Sequence, residues 1–265
     1  MLTVSNLSYR VNGRALINNL SFSIQPGKLV GIIGANGAGK STLMKLLSME
    51  LLPTSGCVTW NDRCIQSYAV EDLARVRAAL RQSSATAHQF NVQEVVMMGR
   101  YPHFKSRPQL NDSIIVEDEL DMAELDHLAF QPYQQLSGGE QQRVSMSRTL
   151  VQLKDMNGVR QAKCLLLDEP LNHLDIKYAH DLLSRVVSFV DQGNTAVVVL
   201  HDIQKAAHFC DEVIVLNGGE VYSEGTPGKV FTNKMMKDCF DVEAEIIPFK
   251  DQLIIHVASE LSRTI

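Results

Sequence analysis

Apolar and polar positions change period several times along the chain, and the changes mark out elements. Residues 2–9 alternate, which predicts a half-buried strand. Asn12-Gly13 is a turn signal, residues 20–24 alternate again, and Gln25-Pro26-Gly27 turns the chain. Lys28-Leu29-Val30-Gly31-Ile32-Ile33 is then a nearly unbroken apolar run, the pattern of a buried parallel strand. Leu43, Met44, Leu46 and Leu47 follow at helical spacing. Residues 57–60 predict a strand before a turn at Asn61-Asp62, and residues 74–80 lead into a strand ending at Arg81-Gln82. Residues 164–167 and 195–200 read as buried strands with a helix between them, from 174 to about 190. Residues 213–222 form a hairpin pattern around Asn217-Gly218-Gly219, and Gly225-Thr226-Pro227 opens a helix. Residues 244–248 and 252–256 predict two strands that close the domain.

Residues 88–135 break the alternation of strands and helices. Val92, Val95, Val96 and Met97 predict a short helix stopped near Gly99, followed by a loop over 101–108. Residues 114–125 carry five carboxylates among apolar positions at helical spacing, which predicts a solvated amphipathic helix. The pattern is an α/β core with a helical insertion.

Composition narrows the class. The chain has 265 residues, 45% hydrophobic and 21% charged, enough for a sizeable core. A net charge of −5 argues against a large nucleic-acid footprint. Five cysteines without a C-x-x-C pair fit reduced thiols. The start has no basic segment followed by an apolar run, so no secretory signal is expected. No stretch approaches the roughly 20 apolar residues of a membrane span, so a transported solute would cross through another chain.

The chemistry begins at Gly34-Ala35-Asn36-Gly37-Ala38-Gly39-Lys40-Ser41-Thr42. It matches G-x-x-x-x-G-K-[ST] and sits between the predicted strand and helix. Glycines let the backbone close around phosphate oxygens, and the helix mouth adds partial positive charge. Lys40 can reach outer phosphates and the Ser41 hydroxyl can ligate Mg²⁺. Gln135-Leu136-Ser137-Gly138-Gly139-Glu140-Gln141 is a capping box with two glycines, a second helix mouth that can face phosphate. Asp168-Glu169 ends one buried strand and His201 ends another. Adjacent strand residues point to opposite faces, so Asp168 and Glu169 should act differently. Gly34, Gln82, Asp168, Glu169 and His201 all fall at the carboxyl ends of predicted strands, where open parallel sheets bind ligands.

In that order these residues resemble the ATP-binding subunits of ABC transporters, over nearly the whole chain. The resemblance implies a P-loop NTPase (RecA-like) core with an antiparallel β subdomain and a helical subdomain. Residues 1–240 would form the ABC ATPase domain, with its helical subdomain at about 88–150, and residues 241–265 a short C-terminal β extension packed on it. It implies ATP and Mg²⁺ as cofactors. Residues 34–42 would be the Walker A loop, with Lys40 on the phosphates and Ser41 on Mg²⁺. Gln82 would be the Q-loop glutamine near Mg²⁺, and Asp168 would support the ion through water. Glu169 would polarise the attacking water, His201 would be the switch histidine, and Asp175 belongs to the D-loop. Tyr9 matches the aromatic that stacks on adenine. Ser137, Gly138, Gly139 and Gln141 belong to the signature, in which Ser137 and Gly139 would contact ATP held by the opposite subunit. Hence a head-to-tail homodimer is implied.

Residues 95–103 further resemble importers of siderophores, cobalamin and haem, and the polar segment 154–163 resembles haem-importer ATPases. Haem import through two multi-span permease subunits and a periplasmic haem-binding protein is implied, at the cytoplasmic face of a bacterial inner membrane, with no nucleic acid. Ferric siderophore or cobalamin import is the alternative, and a non-transport ABC ATPase a further one. Ala35 and Leu171-Asn172-His173 depart from the commoner residues.

Overall fold

Six strands form the central sheet of the computed structural model, which describes residues 1–80, 90–155, 161–250 and 252–257. In chain order the strands are β1 (Leu2–Val11), β2 (Arg14–Ile24), β3 (Lys28–Ile33), β4 (Ser55–Trp60), β5 (Arg63–Cys64), β6 (Arg77–Leu80), β7 (Cys164–Asp168), β8 (Thr195–Val199), β9 (Glu212–Asn217), β10 (Glu220–Gly225), β11 (Ala244–Phe249) and β12 (Gln252–Val257). The helices are α1 (Lys40–Leu47), α2 (Val70–Val76), α3 (Val92–Met97), α4 (Leu110–Met122), α5 (Gly138–Leu153), α6 (Ile176–Asp191), α7 (Ile203–Phe209), α8 (Pro227–Val230) and α9 (Asn233–Phe240). The central sheet runs β10-β9-β3-β8-β7-β6. Its strands pair in parallel except for β10 at the edge. A second, antiparallel sheet has the order β2-β1-β4-β5.

Strand periodicity separates two cores. Leu29, Ile33, Leu165, Leu167 and Val198 face α5, α6 and α9. Their neighbours Val30, Ile32, Leu166, Val197 and Val199 face α1 and the antiparallel sheet. Both faces of the central strands are covered, so β7 and β8 are apolar throughout apart from their ends. A third core joins α3 and α4 to one side of α5 through Val92, Val96, Val116, Val144 and Val151. Met146, Leu150 and Leu153 of the same helix belong to the first core. Helix α5 therefore joins the helical insertion to the sheet.

One sequence expectation needs correction, and three others gain detail. The short helix ends at Met97, close to the expected stop near Gly99, and the chain then tightens into 3₁₀ turns over Met98–His103. Gly99 is required by close approach, since a Cβ there would lie 2.1 Å from the Arg148 carbonyl oxygen. The carboxylate-rich helix begins at Leu110, and it is not fully solvated: Glu119 is buried against Lys154, at 3.0 Å, and Arg185. Residues 74–76 finish α2 and lead into the strand, which starts at Arg77. Among the described residues the last two strands pair with each other as a hairpin, packed on the first core through Ile246, Leu253 and Ile255. Arg81, Gln82 and the expected Asn157-Gly158 turn lie outside the described residues.

Candidate functional site

Register brings the site together. Ile32 pairs with Val199, and Val199 with Asp168, so the ends of β3, β8 and β7 lie side by side. The phosphate loop leaves β3 at Gly34, where a Cβ would meet the Leu216 carbonyl oxygen at 2.3 Å. Only glycine lets the loop pass this close to β9. The loop then carries Asn36 and Gly37 at the surface and buries Ala38. Gly39, at φ 102°, sits at the mouth of α1. The amides of α1 before Leu43 have no intrahelical partner.

Lys40 is buried, and its Nζ donates to the carbonyls of Gly34 (2.7 Å) and Ala35 (3.0 Å). The lysine thus closes the ring of the loop. Burial lowers its pKa, opposed by the charges of Glu169 and Asp168.

Asp168 and Glu169 do diverge. Asp168 is buried, and its Oδ1 has no hydrogen-bond partner among the described residues. Burial, then the neighbouring Glu169, raises its pKa, against a hydrogen bond from Ser41 and the charges of Lys45 and Lys40. A buried carboxylate oxygen without a partner, beside a hydroxyl, fits a hard divalent cation with oxygen ligands. Ser41 and Asp168 are the residues that would hold Mg²⁺.

Glu169 has left the strand conformation, at φ 52°. Its Oε2 accepts from Asn172 Nδ2 at 2.9 Å, and its Oε1 lies 2.6 Å from His201 Nε2. Burial raises its pKa, but Asn172, His201 and Lys40 prevail and hold the carboxyl below the usual range. Its two oxygens thus have different partners, which restricts the carboxylate. The carboxylate is ionised and oriented, as a base requires.

Ser137 caps α5 through a reciprocal box with Glu140: Ser137 Oγ accepts from the Glu140 amide, and Glu140 Oε2 accepts from the Ser137 amide at 2.7 Å. Ser137 and Gly138 are exposed. No hydrogen bond among the described residues joins residues 137–141 to residues 34–42. Gln141 donates to the Leu136 carbonyl at 3.1 Å. Asp175 caps α6 by accepting from the Tyr178 amide at 2.9 Å. Tyr9 is half-buried in β1, opposite Ile17. Thr42 is half-buried in α1, while Gln82 is outside the described residues.

Two residues of this region carry no signal in the motifs. Asn172 orients Glu169; an amide three residues after a strand-end acid, in a turn, is the pattern that would have found it. Gln142 of α5 donates to the Pro170 carbonyl at 2.9 Å, tying the second helix mouth to the turn after Glu169.

Comparison with known proteins gives a consistent set. The ABC transporter family model matches residues 17–172. The hemin import ATP-binding protein of Bordetella pertussis is 38% identical over 250 residues, 93% of this chain and 94% of the relative. That of Pseudoalteromonas translucida is 34% identical over 257 residues, 97% and 98% of the two chains. Among solved structures, a dimeric ATP-binding cassette in a post-hydrolysis state with ADP and Pi aligns with a TM-score of 0.74 at 26% identity, over 86% of this chain and 99% of that one. An ABC transporter in an inward-facing conformation aligns with a TM-score of 0.78 at 24% identity, over 97% and 96%, a likeness of fold.

Proposed function

This chain belongs to the ABC transporter family, and from that premise we propose that it is the ATP-hydrolysing subunit of a haem importer. Hydrolysis is carried by one observation above all: Glu169 is held ionised between Asn172 and His201, beside the buried lysine of the phosphate loop.

The steps follow from the residues. The loop amides and Lys40 bind the β- and γ-phosphates, Lys40 exchanging its carbonyl partners for phosphate oxygens. Ser41 and Gln82, with Asp168 through water, would hold Mg²⁺, which would supply positive charge to the phosphates. Glu169 accepts a proton from the attacking water. His201 donates toward the γ-phosphate and keeps Glu169 aimed. Tyr9 stacks on adenine. Residues 137–141 and Asp175 stand at the surface with their caps satisfied internally, which suits contact with ATP held by a second copy. A head-to-tail homodimer then completes two sites.

No helix among the described residues is long and apolar enough to cross a membrane. The subunit works on permease chains at the cytoplasmic face of a bacterial inner membrane, with a periplasmic haem-binding protein delivering cargo. Haem rests on the curated relatives, which are named hemin import ATP-binding proteins. The test is uptake by vesicles carrying this chain with its cognate permease and binding protein. Haem uptake that requires ATP and resists competition by ferric siderophore or cobalamin supports the cargo. Preferential uptake of either competitor replaces it.

A further inference from the structure

Among the described residues the C-terminal hairpin has no place in either larger sheet, yet one side chain outside it bonds its backbone twice. Gln204 Nε2 donates to the Leu253 carbonyl at 2.6 Å, and the Ile255 amide donates to Gln204 Oε1 at 2.9 Å. The two backbone groups belong to alternate residues of β12, on the edge facing away from β11. Pro248 pairs with Leu253 in the register, and proline has no N–H to offer there. The odd-numbered positions of β12 therefore turn their polar groups outward, and the Gln204 amide meets them as the peptide of a neighbouring strand would. Ile246, Leu253 and Ile255 pack on the core beside Ile203, Ala207 and Phe209 of α7.

Gln204 is three residues after His201. Helix α7 has seven residues, too short to hold itself by propensity. Asp202 caps it by accepting from the Lys205 amide at 3.0 Å. Its inner side is anchored by Ala206, which is fully buried. Its outer side is anchored by the hairpin. His201 is exposed, so little packing of its own fixes the backbone from which its ring reaches Glu169.

We propose that Gln204, by clamping β12 onto α7, is a positioning residue that aims His201 at Glu169. The hairpin thereby takes part in hydrolysis without touching nucleotide. The proposal rests on the role of His201 given above.

The test is steady-state ATP hydrolysis by the full chain in its permease complex. Gln204→Ala is expected to lower kcat about fivefold, the effect of one lost hydrogen-bonded clamp, and to leave the KM for ATP within about twofold. Gln204→Glu keeps the acceptor for the Ile255 amide but regains a donor for the Leu253 carbonyl only when protonated. With an ordinary carboxyl pKa of about 4.3 the new side chain stays ionised at neutral pH, so its kcat should fall with that of Gln204→Ala and not match the unsubstituted protein. An unchanged kcat in Gln204→Ala, a parallel rise in KM, or a Gln204→Glu kcat equal to that of the unsubstituted protein would each overturn the clamp. His201→Ala is the separate control: normal hydrolysis there removes the role of His201 itself, and the proposal with it.

Discussion

Glu169 Oε1 and His201 Nε2 stand 2.6 Å apart although the two residues follow different strands, 32 positions apart in the chain. The parallel register of β7 and β8 creates the pair. The left-handed conformation of Glu169 turns its carboxylate out of the strand toward the imidazole. A sparsely populated backbone conformation at this position is held by the Asn172 hydrogen bond.

Glu169→Gln should lose at least ~10²-fold in hydrolysis while keeping ATP affinity, because an amide cannot accept the proton from water. The amide also leaves Lys40 and the loop intact. With ATP bound and not consumed, the variant should run as a dimer in light scattering. Turnover close to that of the unsubstituted protein would remove Glu169 from the base role.

Asp168→Asn should raise thermal stability at neutral pH and abolish Mg²⁺-dependent tightening of ATP binding. The folded-state pKa of Asp168 is raised by burial, so its ionised form disfavours folding above the unfolded value, and the penalty is relieved as pH falls through the raised folded value. The Tm advantage should be about 2–4 °C at pH ~8 and shrink toward acid. A variant less stable than the parent at pH ~8 contradicts the buried, unpartnered oxygen.

Glu169 should show the opposite linkage. Its folded pKa is lowered, so its ionisation contributes stability above the ordinary glutamate range, lost as pH falls through the lower folded value. Calorimetry of Glu169→Gln against the parent should find the variant less stable at neutral pH, with the gap closing only in acid. A gap that widens in acid refutes this.

Gly99→Ala should destabilise the protein by about 2 kcal/mol or more, because the new methyl meets the Arg148 carbonyl at 2.1 Å and neither backbone can yield without separating α5 from the 3₁₀ turns. Denaturant melts read the loss. Unchanged stability would mean the insertion slides freely over α5.

Gln82→Ala should leave ATP affinity within about tenfold, a difference of roughly 1.4 kcal/mol, yet sharply reduce haem uptake and the stimulation of hydrolysis by permease. Gln82 lies between the nucleotide site and the helical insertion in the chain, where a rotating subdomain would be coupled. Transport at the unsubstituted rate would rule out coupling through this loop.

The sequence by itself determined the local facts. Strand period and glycine placement located the phosphate loop, because a strand, a turn open to backbone approach and a helix mouth are all written within one short stretch of residues. The capping box at Ser137, the helix starting at 174–175 and the acids ending β7 were legible for the same reason. Tertiary structure decided what depends on contact at long range. Register joined Glu169 to His201. Burial, invisible to period alone, turned Glu119 from one of five surface carboxylates into a fully buried partner of Lys154 and Arg185. Gly99 reads as a helix stop in one dimension and is a close contact in three, since the atom that excludes a side chain belongs to residue 148. The clamp of Gln204 on β12 was unreadable for the same reason: its partners are backbone groups, identical in every residue, selected only by where the hairpin lands.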